Sequence, residues 1–204
     1  MAELYTIGHS THSLDSFIEL LSMHGITAVC DVRSAPYSRF NPQFNRETLQ
    51  EELKKNRIAY VFLGRELGPR SDDPACYVEN KVDYNLLSRT GLFQEGLKRV
   101  RQGMGAYRIA LMCAEKDPII CHRTILVCRH LRARGVRIRH ILEDGAIEEN
   151  DQAIGRLLRI LKLPERDLFH SPMEMIEQAY DQQARKIAHR REDGEDLWEN
   201  GRRR

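Results

Sequence analysis

The chain has no apolar run near the ~20 residues that a membrane-crossing helix needs, and its first residues, Met1-Ala2-Glu3-Leu4, lack the basic stretch and apolar core of a secretion signal. A cytoplasmic protein without a membrane segment is the expectation. Neither sign of charge is in excess: 32 Lys and Arg against 30 Asp and Glu leave a net +2. No global field therefore draws the chain to nucleic acid, and any anion-attracting patch has to be local. No stretch interleaves aromatic with basic residues as a single-strand groove would. The glycine patterns of dinucleotide and triphosphate sites are missing, and Gly8-His9-Ser10 does not stand in for them. A phosphatase-type loop is absent too: Ile119 and Val127 stand where an Arg would have to follow Cys113 and Cys121. Five cysteines are an odd number and form no CxxC pair, so reduced thiols are expected rather than disulfides.

What is present is an alternation of apolar runs and amphipathic stretches. Leu4-Tyr5-Thr6-Ile7 predicts a first strand, and Ser13 caps a helix with Leu14, Phe17, Leu21 and His24 on one face, stopped by Gly25. Residues 26–32 form a second, nearly continuously apolar strand, as burial on both faces of a parallel sheet requires. A loop over 33–42 follows, and Asn45 caps a helix to about Asn56 with Leu49 and Leu53 inward. Residues 58–63 are a third strand. Residues 64–90 read as long and irregular, broken at Gly68-Pro69 and Asp72-Asp73-Pro74; loops of this length often serve as lids or binding loops. Phe93, Leu97 and Val100 mark a helix and residues 108–113 a fourth strand. A helix from about His122 carries Ile125, Cys128 and Leu131 to Gly135. Residues 136–142 are a fifth strand, and Ile154, Leu157, Leu158 and Leu161 line a later helix. This order predicts a three-layer α/β sandwich with a mostly parallel sheet, without fixing the strand order.

Composition changes after Leu163-Pro164, which divides an α/β domain (1–163) from a C-terminal helix and charged tail (164–204). Ser171-Pro172-Met173-Glu174 is a capping box. Met173, Ile176, Tyr180, Ala184 and Ile187 then form a stripe that packs on its own domain or on a second copy of the chain. The basic residues at the very end are a weak phosphate-attracting tail or a solvated terminus.

The chemistry gathers at strand ends. In a parallel sheet, ligands bind outside the carboxyl ends of the strands. The first strand delivers His9 and Ser10, the second Asp31 and Arg33, and the fourth Cys113 and Glu115, with Asp117, Cys121, His122 and Arg123 close behind. Arg33, Arg39 and Arg123 supply rigid forks suited to a phosphate, helped by Ser38 and by helix N-termini; alternatively Asp31 and Glu115 neutralise them in ion pairs. Asp31 or Glu115 can carry a proton. Cys121 and His122 are nucleophile and partner, or pocket wall. Cys113, Cys121 and His122 are possible metal ligands with His9 or His12 as a fourth, but the gap between the cysteines is not a zinc-knuckle spacing, so no metal is assigned. Asp117-Pro118 reads as a turn, and His24 and His140 as structural.

In combination, Thr6-Ile7-Gly8-His9-Ser10, Asp31-Val32-Arg33 with Pro36 and Ser38-Arg39, Leu67-Gly68, and Cys113-Ala114-Glu115-Lys116-Asp117-Pro118 with Cys121-His122-Arg123 resemble an uncharacterised family, domain of unknown function 488. The resemblance spans about Tyr5 to Gly145 and implies an α/β sandwich but no established reaction or cofactor. The functional expectation is an enzyme acting on a phosphate-bearing small molecule, a nucleotide or a nucleic-acid end, by glycosidic cleavage or by hydrolytic or sulfur-transfer chemistry through Cys121. Its alternative is a non-catalytic nucleotide or nucleic-acid binding module.

Overall fold

A computed structural model describes residues 2–164 and 170–191. Leu4, Tyr5, Thr6 and Ile7 are buried in β1 (Glu3–Gly8). Ser13 Oγ accepts from Ser16 N at 3.1 Å and starts α1 (Leu14–Met23); Gly25, at φ +62°, turns the chain into β2 (Ala28–Asp31), buried at every residue. Asn45 precedes α2 (Arg46–Lys55), but its side chain does not cap the helix as the sequence suggests. Its Oδ1 instead accepts from Ser38 N at 2.7 Å and closes the preceding loop on itself. β3 (Ala59–Phe62) is the edge strand beside β2.

Residues 64–90 are irregular over 68–73 but ordered on either side. They hold α3 (Gly64–Leu67), a 3-10 turn at Pro74–Cys76, a hairpin of β4 (Tyr77–Val78) and β5 (Lys81–Val82), and α4 (Tyr84–Leu87). Asp73 and Asp83 fix these turns by accepting backbone N–H groups. Cys76, Val82, Tyr84 and Leu87 are buried and anchor the segment in the core, which argues against a loose lid. Elements this short show no periodicity to a reader of the sequence.

Thr90 caps α5 (Gly91–Gly103), which leads to β6 (Ile109–Cys113), again buried throughout. After a 3-10 turn at Pro118–Ile120, the expected helix begins as a wide π-helical stretch, Arg123–Cys128, before α6 (Arg129–Arg132). All six residues of the wide stretch are buried, Arg123 included. β7 (Arg137–Ile141) then turns back through β8 (Ile147–Glu149), a short strand absent from the sequence reading, into α7 (Asn150–Ile160).

The sheet order is β3-β2-β6-β1-β7-β8, parallel except for β8, which runs antiparallel to β7. α1 and α2 cover one face with Phe17, Leu21, Leu49 and Leu53. α5, the π-helical stretch and α7 cover the other with Leu97, Ile125 and Leu157. This is the expected three-layer α/β sandwich. α8 (Pro172–Ile187) forms with its capping box intact: Glu174 N donates to Ser171 Oγ at 3.3 Å and Ser171 N to Glu174 Oε2 at 2.6 Å. Its buried face is Met175, Ala179, Tyr180, Gln183 and Ala184. Tyr180 and Ala184 belong to the expected stripe, whereas Met173 is exposed. That face joins the core cluster of its own domain, and Arg129 ties it down through Glu177 (Nε–Oε2 2.7 Å) and Asp181 (Nη1–Oδ1 2.7 Å). The basic C-terminal residues lie outside the described residues. Among the described residues no helix is long and apolar enough to cross a membrane.

Candidate functional site

Parallel pairing sets Gly8 beside Cys113 and Asp31 beside Met112, so β2, β6 and β1 deliver their ends to one edge. The ladder continues past β1, with His9 N donating to Cys113 O at 2.9 Å and Ser10 N to Ala114 O at 3.0 Å. Gly8 is required for this close approach: a Cβ there would lie 2.0 Å from Glu115 O. The three polar clusters therefore share a neighbourhood, as the sequence predicts.

Of the two ion pairs weighed as the alternative to anion binding, the one at Asp31 forms and the one at Glu115 does not. Arg33, 7% exposed, grips the fully buried Asp31 with Nε–Oδ1 at 2.9 Å and Nη2–Oδ2 at 2.6 Å. Its remaining reach goes to Phe44 O (2.9 Å) and to His9 Nε2 (3.2 Å). Tyr60 Oη donates to Asp31 Oδ2 at 2.8 Å, so this carboxylate is fully engaged. His9 stacks on Phe44 with ring centroids 4.3 Å apart. Burial and the adjacent Arg33 push its pKa down to about 4, so it is neutral.

Arg123 is completely buried and reaches no external anion. It donates to Glu115 O (2.5 Å), Lys116 O (3.1 Å) and Thr6 Oγ1 (3.3 Å), holding the turn after β6 from inside. The expected ion pair with the Glu115 carboxylate is replaced by a bond to the Glu115 carbonyl. Arg39 is exposed on the loop after β2. Ser38 Oγ accepts from Phe40 N and Asn41 N, each at 3.2 Å, and shapes that loop. Ser10 sits at φ +47° where the chain leaves β1. Asp117 makes the expected turn by accepting from Ile119 N at 3.1 Å, and it also binds Arg156 through both oxygens. His24 and His140 have structural partners, Gly145 O (2.8 Å) for the first and Thr6 Oγ1 (2.8 Å) and Asn150 Oδ1 (3.3 Å) for the second.

The reactive groups after β6 fold onto one another. Cys113 Sγ donates to Glu115 Oε2 at 2.8 Å and Cys121 Sγ to the same oxygen at 3.0 Å. His122 Nδ1 lies 3.6 Å from Cys113 Sγ and 3.8 Å from Cys121 Sγ. His122 Nε2 meets Val32 O at 2.9 Å. The four donor atoms all lie within 4.8 Å of one another. Cys113, Cys121 and His122 are buried, and Glu115 opens to solvent. Burial pushes the Cys121 thiol well up, which keeps it protonated and a poor nucleophile in this state. Burial works against the Glu115 charge, but the two thiol hydrogen bonds outweigh it and hold the carboxyl below its usual range. For His122 burial opposes protonation, and the facing Cys121 and Glu115 raise its pKa nonetheless.

The fourth member of the cluster is thus Glu115 rather than His9 or His12. Sequence reasoning also missed Tyr84. Its buried hydroxyl has no hydrogen-bond partner, and its pKa is raised by burial and then by the charges of Cys121, Cys113 and Glu115. Asp83, a capping residue directly before it, was the available signal of the short helix that positions it. Arg65 and Arg70, on the segment after β3, carry no motif that marks them in the sequence; with Arg39 they are exposed and pair with no carboxylate among the described residues.

No curated protein and no solved structure matches the chain. A family model described as domain of unknown function DUF488 matches residues 13–129, which include Asp31, Arg33 and the whole Cys113–Arg123 stretch. That match covers more than half of the sequence, and the chain belongs to the DUF488 family.

Proposed function

We propose that the protein is an enzyme acting on a phosphate-bearing substrate, a nucleotide or a nucleic-acid end, at the C-terminal edge of its sheet. The observation that supports this reading is a reactive cluster and unpaired surface cations at the same edge. Cys113, Glu115, Cys121 and His122 converge where β6 ends. Arg39, Arg65 and Arg70 stand exposed on the segments that follow β2 and β3, and Arg70 N donates to Ser34 Oγ at 3.3 Å, joining those segments. Phe40, beside Arg39, is 94% exposed. A bare ring next to a guanidinium offers a base a stacking face and a phosphate a fork of donors. The anion-holding role passes to these exposed arginines, because Arg33 and Arg123 spend their donors inside the protein. Glu115 is the reacting carboxylate of this proposal: it is ionised and reachable from solvent, whereas Asp31 is buried between Arg33 and Tyr60.

The test is fluorescence anisotropy with a 5′-phosphorylated single-stranded oligonucleotide and a mononucleotide panel, with chromatography of the products. Arg39→Glu combined with Arg70→Glu should weaken binding about tenfold or more, a loss of ~1.4 kcal/mol, and flatten its salt dependence. Glu115→Gln should abolish turnover while binding persists. Binding indifferent to both charge reversals would refute the anion assignment. Binding by the wild type without turnover would make the protein a non-catalytic nucleotide or nucleic-acid module.

A further inference from the structure

We propose that Cys113, Glu115, Cys121 and His122 are the ligands of a divalent transition-metal ion of borderline softness, with zinc as the best match. The inference deepens the site of the proposed function but does not depend on its substrate.

The donor set comes first. Two thiols, one imidazole and one carboxylate are the ligand types that zinc takes in four-coordinate sites. Metal–ligand bonds of about 2.0–2.3 Å put neighbouring ligand atoms about 3.3–3.8 Å apart in a tetrahedron. His122 Nδ1 meets that separation from both sulfurs, at 3.6 and 3.8 Å. The sulfur–carboxylate distances of 2.8 and 3.0 Å, where both thiols donate to Glu115 Oε2, are shorter than those edges. Loss of the two thiol protons on metal binding turns these contacts into edges of the tetrahedron as the exposed Glu115 swings outward.

The surroundings are those of a metal site. Val32 O can only accept, so His122 Nε2 carries a proton, and Nδ1 is the ring atom turned to the cluster, whose lone pair a metal would take on displacing any proton there. Arg123 N donates to Cys121 Sγ at 3.4 Å, a bond that favours thiolate. The Arg123 side chain is fully buried, yet its hydrogen bonds go to two carbonyls and one hydroxyl and to no carboxylate. Two thiolates and a carboxylate around a dication leave one net negative charge, which offsets that buried guanidinium.

An independent observation points into the same place. Tyr84, from a different segment, is 4% exposed, and its hydroxyl is one of the few buried polar side-chain atoms without a partner. An orphaned buried donor is costly unless something at the site satisfies it. Cys121, Cys113 and Glu115 are the charged groups that act on it after burial, so the cluster is near enough for a metal-bound thiolate or carboxylate, or a water beside it, to accept a hydrogen bond from it. Three ligands are buried and the fourth faces solvent, so Glu115 occupies the position that a water or a substrate oxygen can take.

The experiment is titration of chelator-treated full-length protein with Co2+ and then Zn2+, followed by absorption spectroscopy, with no substrate present. The expected result is one equivalent of Co2+ with the intense visible bands of a tetrahedral ion and thiolate-to-cobalt charge transfer in the near ultraviolet, displaced by Zn2+. Cys113→Ser should remove about half of the charge-transfer intensity. Should that variant not fold, Glu115→Gln, at the exposed position, should keep the charge transfer while weakening affinity about tenfold or more. Tyr84→Phe should shift the visible bands, and Cys76→Ala, at a cysteine that is not one of the four grouped residues, should behave as wild type. Weak binding without charge transfer, a wild-type response from Glu115→Gln, or thiol titration showing Cys113 and Cys121 joined as a disulfide in reduced buffer would each overturn the assignment. Because no nucleotide enters this titration, failure of the anion-binding proposal and failure of the metal proposal are read separately.

Discussion

Replacing Arg33 by Lys should destabilise the fold even with no ligand present. The change keeps the positive charge and removes the planar fork. Arg33 makes four side-chain hydrogen bonds: two to Asp31 at 2.9 and 2.6 Å, one to Phe44 O at 2.9 Å, and one to His9 Nε2 at 3.2 Å. A lysine ammonium reaches Asp31 as a single point and leaves at least two acceptors unmet in a buried place. Each unmet buried group costs roughly 1–3 kcal/mol, and hydrogen bonds to a charged partner are worth roughly 1.5–3 kcal/mol. The sum is about 3–5 kcal/mol, the range seen when a buried ion pair is broken. For a chain of this size that lowers Tm by about 6–20 °C.

The assay is urea unfolding followed by circular dichroism, with thermal melts alongside. At a slope of about 2–3 kcal/mol per molar urea, the midpoint should fall by ~1–2 M with the slope unchanged. Arg39→Lys, on the exposed loop, is the control and should stay within about 0.5 kcal/mol of wild type. If Arg33→Lys unfolds within 1 kcal/mol (about one error of such comparisons) of wild type, the four bonds do not hold the β2 end in place and the reasoning fails.

Burial and the nearby Arg123 push the pKa of His140 down to about 3. The unfolded chain, with a pKa near 6.5, therefore takes the proton first as pH falls, and stability present above about 6.5 is lost progressively toward 3, by ~2 kcal/mol at pH 5. Urea midpoints at several pH values should show that slope, reduced in His140→Gln; an identical slope in the variant would rule out His140 as its source. Truncation after Leu163 strips Met175, Ala179, Tyr180 and Ala184 from the core, so calorimetry should show the single sharp transition broadened or lowered by more than about 10 °C; an unchanged transition would make α8 an appendage. Gly8→Ala places a methyl group against the Glu115 carbonyl and should cost about 3 kcal/mol or more, read as loss of soluble protein or a much lower urea midpoint.

The sheet was legible because its central strands are apolar on both faces, and a run such as Ile109–Cys113 has few other readings. β8 was not, because Ile147-Glu148-Glu149 pairs on one side only and is too short to show alternation. The 64–90 segment hid its structure for a related reason: its elements are held by Asp caps and by long-range burial of Cys76, Val82 and Tyr84, neither of which leaves a period in the sequence. The edge that gathers the polar clusters followed from parallel pairing, but the partners did not. Arg123 meets the Glu115 carbonyl and not its carboxylate, and another of its partners is Thr6, 117 residues away. The spacing between Cys113 and Cys121 argued against a shared ligand only while it was counted along the chain. A tight turn and a 3-10 turn bring the second thiol back to within reach of the oxygen that the first one holds.

The two proposals meet at the end of β2. Val32 O orients His122 at the cluster, and the chain that follows Val32 passes through Arg33, locked to Asp31, before reaching the exposed Arg39 and Phe40. Ser34 Oγ takes the Arg70 amide, so the second cationic segment rests on the same few residues. An anion drawing Arg39 and Arg70 together would thus pull on a stretch whose inner end fixes the orientation of an imidazole ligand. The buried Arg33–Asp31 pair separates these functions. It pins the chain between the outer loop and the inner carbonyl, so that under the two proposals movement of the loop would leave His122 facing the sulfurs. On this reading the buried arginines are the frame of the site, and the exposed ones are its reach.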